Sequence, residues 1–590
     1  MDPVIASDVE AALNAGAKPT AQDDQGSPAL DLACAQPDPA VVRALLEFGA
    51  PVQSKDSGGN TALMTAAMNG RTSITALLLT HNPVVDARND QGDTALELAS
   101  QAGHTDVADL LLNHGASIST VDSSGETPLF AAVTNGQALT TDLLLQHGAT
   151  VTDHDSQGQT PLTLAAASGN IGVVKVLLAR GAGIDDKDGS GSTALQVAVA
   201  NGKAEMVDTL LTAKADPDLR DSNGVSPLNA AAQAGRSDIV KELVDHGAAI
   251  DQPDNGIGTP LQNAVRQGQL DTVRVLLALK ADPNGPDHEG RTPLMAAAKV
   301  GRLDIVKLLL DHGASIDAIA DDNLTAMANA VQGDSPDTVK FLAAQGADVN
   351  KVYQRGTVIR MAVERGDPDM VSLLLKLGVN PNIGGVQGAT PLMIASEMGR
   401  ADIVNLLLAG GADVKLRDKR GWEALDYASA KNRIDVANVL IAKGAPVNDA
   451  DTQGDTPLIR AVRANGIDVM QVLIAHGTNV KQATSSFAMT PLIIAVQSSS
   501  VPTVDYLLSH GSSPNEADLR ADTALMWAVR AGRADMVTEL LNHGANVSLQ
   551  NANGQTALRM ATSSNRQDLA DLLSAAPAKP AVTPAADRSN

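Results

Sequence analysis

Eleven histidines, sixty-eight Asp and Glu residues and one cysteine are the groups in this 590-residue chain that could ligate a metal, move a proton or attack a substrate. Imidazole is the commonest metal ligand, so the histidines come first. Seven of them, His114, His147, His246, His312, His476, His510 and His543, stand immediately before a glycine, one to a segment. That placement suits a side chain meeting the terminal carbonyls of a helix, and it lacks the several converging ligands of a zinc site, so no metal is expected. Acidic pairs such as Asp185-Asp186 and Asp321-Asp322 fall among turn residues and read as solvated surface. Cys34 has no second cysteine to pair with, and its slot is held elsewhere by Ala67 and Ala132, which points to a packed, inert thiol. No H-E-x-x-H, G-x-S-x-G, P-loop or dinucleotide-binding glycine pattern occurs in the right context. The chain therefore reads as no enzyme, with no catalytic residue and no cofactor.

What positions these groups is a repeat. Gly59-Asn60-Thr61-Ala62-Leu63 recurs 33 residues on at Gly92 to Leu96, then at Gly125, Gly158 and Gly191. The register continues through Ser226, Thr259, Thr292 and Thr325, loses one residue before Thr357 and resumes at Thr390, Glu423 and Thr456. It gains one residue before Thr490 and closes at Thr523 and Thr556, so with a first copy at Gly26 to Leu30 the chain holds seventeen copies. In the copies at Thr127, Thr160, Thr292, Thr390, Thr456 and Thr490, Thr-Pro-Leu places a capping hydroxyl before a proline suited to the first turn, and a glycine nine positions after the Thr, as at Gly70, Gly103, Gly136, Gly169, Gly202 and Gly235, ends the helix. A second helix follows through positions such as Ile239, Val240 and Leu243, and an Asp five residues before the next Thr marks a turn.

Composition supports an array of such units over a set of large globules. Aromatics are 2 % of residues and hydrophobics 44 %, so Ala, Leu and Val must form the core. No run of about 18 apolar residues spans a membrane, and a net charge of −24 disfavours nucleic acid and anionic membrane. Met1 to Thr20 reads as a short helix and its turn rather than a signal peptide, which makes the cytoplasm the default, with export or a periplasmic site open if a leader was removed.

The period, with G-x-T-P-L, paired Ala, Leu-Leu and Gly-Ala at fixed offsets as in Gly290-Arg291-Thr292-Pro293-Leu294 through Leu308-Leu309-Leu310 to Gly313-Ala314, resembles the ankyrin repeat. The resemblance implies an all-α solenoid of helix-turn-helix units with β-turn tips, a curved elongated array. Residues 1–20 form an N-terminal capping half-repeat, 21–575 the tandem repeats and 576–590 a disordered Pro/Ala-rich tail. One departure is regular: the family's T-P-L-H never ends in His, the place being taken by Met64, Glu97, Phe130, Thr163, Gln196, Asn229, Gln262, Met295, Met393 or Ile459. The usual Thr-to-His hydrogen bond is therefore absent.

In proteins of this fold, partners meet the concave surface made by turn tips and the ends of the first helices. Those positions are small and uncharged early in the chain, as at Met68-Asn69 and Ala200-Asn201. Later they hold Arg266, Lys299, Arg365, Lys431, Arg463 and Arg530, a mostly basic stripe on an acidic protein. Trp422, beside Arg420, and Tyr353 stand at turn tips, whereas Tyr427, Trp527, Phe341 and Tyr506 fall on faces that normally pack inward. These nine residues, Arg266, Lys299, Tyr353, Arg365, Arg420, Trp422, Lys431, Arg463 and Arg530, are the expected partner contacts. The expected function is a monomeric, non-catalytic scaffold for a protein partner; a regulatory inhibitor or immunity-type protein that occludes an enzyme or toxin is the alternative. The irregular copies at about 320–360 and 480–500 are read as a hinge or as drift.

Overall fold

A side-chain oxygen starts the first helix of most copies. Thr61, Thr94, Thr160, Thr193, Ser226, Thr259, Thr390, Thr456, Thr523 and Thr556 each accept the backbone N–H three residues on, which satisfies a donor the helix itself cannot. In some copies the polar residue after Leu answers: Gln196 Oε1 accepts the Thr193 N–H at 2.7 Å, Thr163 Oγ1 that of Thr160 at 2.9 Å and Gln262 Oε1 that of Thr259 at 3.0 Å. The position that lacks His thus still closes the turn.

In this computed structural model, which describes residues 3–255, 258–354 and 356–576, one helix, Pro3–Asn14, precedes seventeen helix pairs. The pairs run from Ala29–Cys34 with Pro39–Glu47 to Ala557–Ser563 with Gln567–Ser574. Among the described residues there is no extended strand, only isolated bridges such as Lys55 to Thr61 within turn tips. The chain is an all-α solenoid. Beyond Ala576 the expected tail lies outside the described residues. The helices divide into two compact units, residues 1–297 with 307–314, and residues 298–306 with 315–590.

Within each unit successive first helices pack on one another, and so do successive second helices. The first-helix contact is close because its residues are small: Ala66, Ala67, Ala132, Ala165, Ala166, Ala231 and Ala232 are fully buried. The second helices supply bulk at Ile239, Val240 and Leu243, also fully buried. Cys34 is fully buried in its alanine-sized slot, and that burial pushes its thiol pKa far up.

The tips are built by aspartate. Asp56 Oδ1 accepts the N–H of Gly58 at 2.9 Å and of Asn60 at 2.7 Å, and the same two bonds recur at Asp122, Asp155, Asp188, Asp221, Asp287, Asp418, Asp451 and Asp518. Each tip then bonds to its neighbour, as Ser123 N to Gln91 O at 3.0 Å and Lys419 N to Gln387 O at 3.0 Å. At the other end of the copy a second rung crosses between repeats, with Ser117 N on Asp86 at 2.9 Å and Asn546 N on Asn515 at 2.7 Å.

The irregular copies keep this geometry by substitution. Asn323 (φ +66°) and Asp334 (φ +53°) take the left-handed places that Gly290 and Gly301 hold one repeat earlier, a conformation Asn and Asp tolerate. Ser499, where a glycine was expected, turns extended instead and donates its hydroxyl to Val462 O at 2.7 Å. Helix pairs are complete through all three copies.

Candidate functional site

Within the second unit, Asp418 organises a cluster at the turn tip before the helix Ala424–Ala430. Its Oδ1 accepts the N–H of Arg420 at 2.8 Å and of Trp422 at 2.9 Å, and its Oδ2 accepts Arg420 Nε at 3.0 Å and the Tyr427 hydroxyl at 2.9 Å. Burial opposes the charge, but these four donors together hold the Asp418 carboxyl below its ordinary range. Arg420 Nη2 reaches on to the Tyr427 oxygen at 2.7 Å, and burial, with the Asp418 hydrogen bond, pushes the phenol up to about 12.

Trp422 stands at the centre. The guanidinium carbons of Arg420 and of Arg460, one repeat on, both lie 4.1 Å from its ring centroid, and the Tyr427 ring meets it edge-on at 5.3 Å. The indole Nε1 donates to Asp451 Oδ2 at 3.0 Å. Arg460 is also paired with Asp451, and its Nη1 lies 3.2 Å from Asp455. The tryptophan is thus fixed in orientation before anything binds.

Beside this cluster lies a groove of about 550 Å³, open to solvent, between the turn tips and the ends of the first helices. Ile394, Ala430 and Trp422 line it with Arg360, Arg420 and Lys431 around them. A second cavity of about 390 Å³, lined by Leu324, Met361 and Arg365, adjoins the Tyr353 tip. A third, of about 200 Å³, is lined by Phe487, Leu519 and Trp527; the first two of these are 60 % and 69 % exposed.

The family profile described as ankyrin repeats (three copies) matches residues 30–122, 118–188, 195–287, 261–353, 359–451, 446–518 and 492–583. The chain belongs to the ankyrin-repeat family. Ankyrin repeats generally mediate protein–protein interaction, and the match indicates no catalytic family. Among solved structures, the ankyrin repeat domain of Bcl-3, described as a unique member of the IkappaB protein family, is 30 % identical, with 37 % of this chain and 100 % of that chain covered and a TM-score of 0.35. The human ASB11 ankyrin repeat domain is 27 % identical over 38 % of this chain and 100 % of that one, also at a TM-score of 0.35. No curated protein matches. Among the described residues no helix is long and apolar enough to cross a membrane.

Of the nine expected contact residues in these ankyrin repeats, Arg420, Trp422 and Lys431 line the one groove. Arg365 borders the adjoining cavity, with Nη1 donating to Gln332 O at 2.6 Å. Arg266 belongs to the first unit, Lys299 is exposed, and Arg463 and Arg530 lie off the groove. Tyr353 is a correction. Its ring is 3 % exposed and its hydroxyl is 2.8 Å from Thr325 Oγ1, with burial pushing its pKa to about 12. The shortened tip turns this side chain inward, into the place from which Asp254, at the same 28-residue offset, accepts the Ser226 N–H.

Four residues of the expected basic stripe carry acidic partners. Arg266 pairs with Asp287 at 2.6 Å, Arg463 with Asp455 at 3.3 Å, Arg530 with Asp522 at 2.8 Å and Lys431 with Glu397 at 3.5 Å. Tip aspartates thus pair with Arg266, Arg463 and Arg530, and Glu397 of the preceding first helix pairs with Lys431. Trp527, expected to pack inward, is half-buried; its Nε1 donates to Asp518 at 3.0 Å and Arg530 lies 4.5 Å over its ring. Phe341 and Tyr506 are half-buried as well.

Arg460, Asp451 and the inward half of the cluster went unread in the sequence. The signal was the residue four after the capping Thr. It is Thr65, Leu98, Ala131, Leu164, Val197, Ala230, Asn263 and Ala296 in the first half, neither aromatic nor charged, but Tyr427, Arg460 and Trp527 in the second. The histidines sit as their spacing implied, with His114 Nδ1 2.8 Å from Leu110 O and His476 Nδ1 2.8 Å from Val472 O. Two of them meet more carboxylates than the spacing suggested, in the groups Asp208, Glu242, His246 and Asp505, Glu539, His543.

Proposed function

We propose that this ankyrin-repeat protein is a non-catalytic scaffold that binds a protein partner on its concave face, centred on the groove beside Trp422. The observation that carries this reading is an indole held by two guanidinium groups and a carboxylate next to an open groove of about 550 Å³. Preorganised aromatic and arginine side chains lose little freedom on association, and they are the residue types that dominate interface energetics. Because the tip aspartates already neutralise most of the arginines, shape and stacking would contribute more than net charge. The partner is expected to offer an apolar side chain for the indole edge, with hydrogen-bond acceptors for Arg420 and Lys431 at the rim.

Affinity capture from native lysate, with wild type against an Arg420→Ala, Lys431→Glu variant, tests the reading. Loss of a specifically retained protein in a variant that melts within a few degrees of wild type supports it. Equal retention by both would move the binding surface elsewhere.

A further inference from the structure

Glu97 is the third residue of the helix Ala95–Ala102, at a place held in later copies by Gln196, Asn229 and Gln262. Those amides donate into the following tip. Gln196 Nε2 reaches Leu219 O at 2.8 Å, Asn229 Nδ2 reaches Gln252 O at 3.1 Å, and Gln262 Nε2 reaches Gly285 O at 3.0 Å and Arg291 O at 2.6 Å. In the register of the repeat, Gly285 and Arg291 correspond to Thr120 and Glu126. A carboxylate has no N–H to give to such acceptors. Glu97 is nevertheless 3 % exposed, and neither of its carboxylate oxygens makes a hydrogen bond of normal geometry, the Thr94 amide offering only a weak approach. An orphaned buried carboxylate is costly and calls for a proton or a cation.

Among the described residues no cationic side chain bonds to Glu97, and Arg88 donates instead to Val121 O. Burial first, then the charges of Asp122, Asp93 and Glu126, push the Glu97 pKa to about 8, with the Thr94 amide offsetting part of this. Asp122 and Asp93 are held by their own turns. Asp122 Oδ1 accepts Ser124 N and Glu126 N, each at 2.8 Å, and Asp93 Oδ2 accepts Asn89 Nδ2 at 3.1 Å. One oxygen from each of Asp93, Glu97 and Asp122 lies within 4.8 Å of the others. Three atoms so placed share a point within about 2.8 Å of each, close to the 2.3–2.6 Å of calcium–oxygen bonds.

We propose that Asp93, Glu97 and Asp122 form a divalent-cation site that takes calcium, with water completing the coordination. An all-oxygen, three-carboxylate donor set selects a hard cation over zinc or copper. Two of the ligands precede or begin one helix and the third begins the next tip, so the ion ties adjacent repeats together. It performs the joining that Gln262 performs with its amide, and it makes the stiffness of this part of the first unit calcium-dependent.

The test uses the full chain stripped of metal with a chelator, titrated calorimetrically with calcium chloride alone and with magnesium chloride alone at pH 7.5, and melted with and without each. The expected result is one calcium bound per chain and a higher melting temperature with calcium. Glu97→Gln should weaken calcium binding at least tenfold while raising the metal-free melting temperature, since glutamine supplies the missing donor. Asp122→Asn should weaken binding without that rise. Absence of both binding heat and melting shift in wild type would overturn the proposal. So would calcium binding unchanged in both variants, which would place the ion at the exposed groups around His246 or His543.

Discussion

Replacing Asp418 with alanine removes one carboxylate from beneath four donors, at 2.8, 2.9, 2.9 and 3.0 Å. Asp418 is 6 % exposed, and Tyr427 is also 6 % exposed, so water cannot readily replace the lost acceptor. Neutral hydrogen bonds contribute about 1 kcal/mol each and those to a charge roughly twice that, but the bonds share one partner and do not add. Breaking a buried pair typically costs about 3–5 kcal/mol, and Arg420 keeps part of its hydration at 55 % side-chain exposure, so about 3 kcal/mol is the expected loss. Both tryptophans, Trp422 and Trp527, belong to the second unit. Urea unfolding followed by tryptophan fluorescence therefore reads that unit, and Trp422 should also shift in emission before unfolding. The pH dependence has a definite sign. Because the folded Asp418 pKa lies below 3.8, its contribution is present above about pH 4 and is lost as pH falls further, a loss the alanine variant should not show. A cost below about 1 kcal/mol with unchanged emission would refute the claim that this carboxylate builds the cluster.

Ala521→Gly should stabilise the second unit by about 0.5–1 kcal/mol in urea unfolding, since Ala521 is held at φ +57° where Gly554 stands one repeat later. Tyr353→Phe should cost about 1 kcal/mol by removing one of the two hydrogen bonds of the Thr325 hydroxyl, yet leave partner capture unchanged, because this ring is buried. Cys34 should resist a thiol reagent in the native chain and react only after denaturation, given its full burial and raised pKa.

The fold was legible because each copy repeats its own instructions. A capping Thr, a helix-ending glycine and a tip aspartate at fixed offsets each satisfy a backbone group locally, and seventeen copies average out the exceptions. The site was legible only in part. The position of Trp422 at a tip followed from the register, but its partners Asp451 and Arg460 lie 29 and 38 residues on and meet it only because the next repeat stacks against it. Counting arginines at helix ends gave a basic stripe, since the aspartates that pair with Arg266, Arg463 and Arg530 had been assigned to turn formation. They do both, as Asp451 shows by accepting Gln453 N at 2.8 Å and Trp422 Nε1 at 3.0 Å. Tyr353 was misplaced by a single lost residue, which rotates a side chain from the outside of a tip to its inside.

The central claim is that a partner docks in the groove beside Trp422. A photo-crosslinking residue at Gln387, exposed on the groove wall, and another at Gln157, the corresponding exposed tip residue of the first unit, would test it in the full chain. The account predicts a covalent adduct with the captured protein from position 387 and none from 157. Adducts from 157 alone would contradict it.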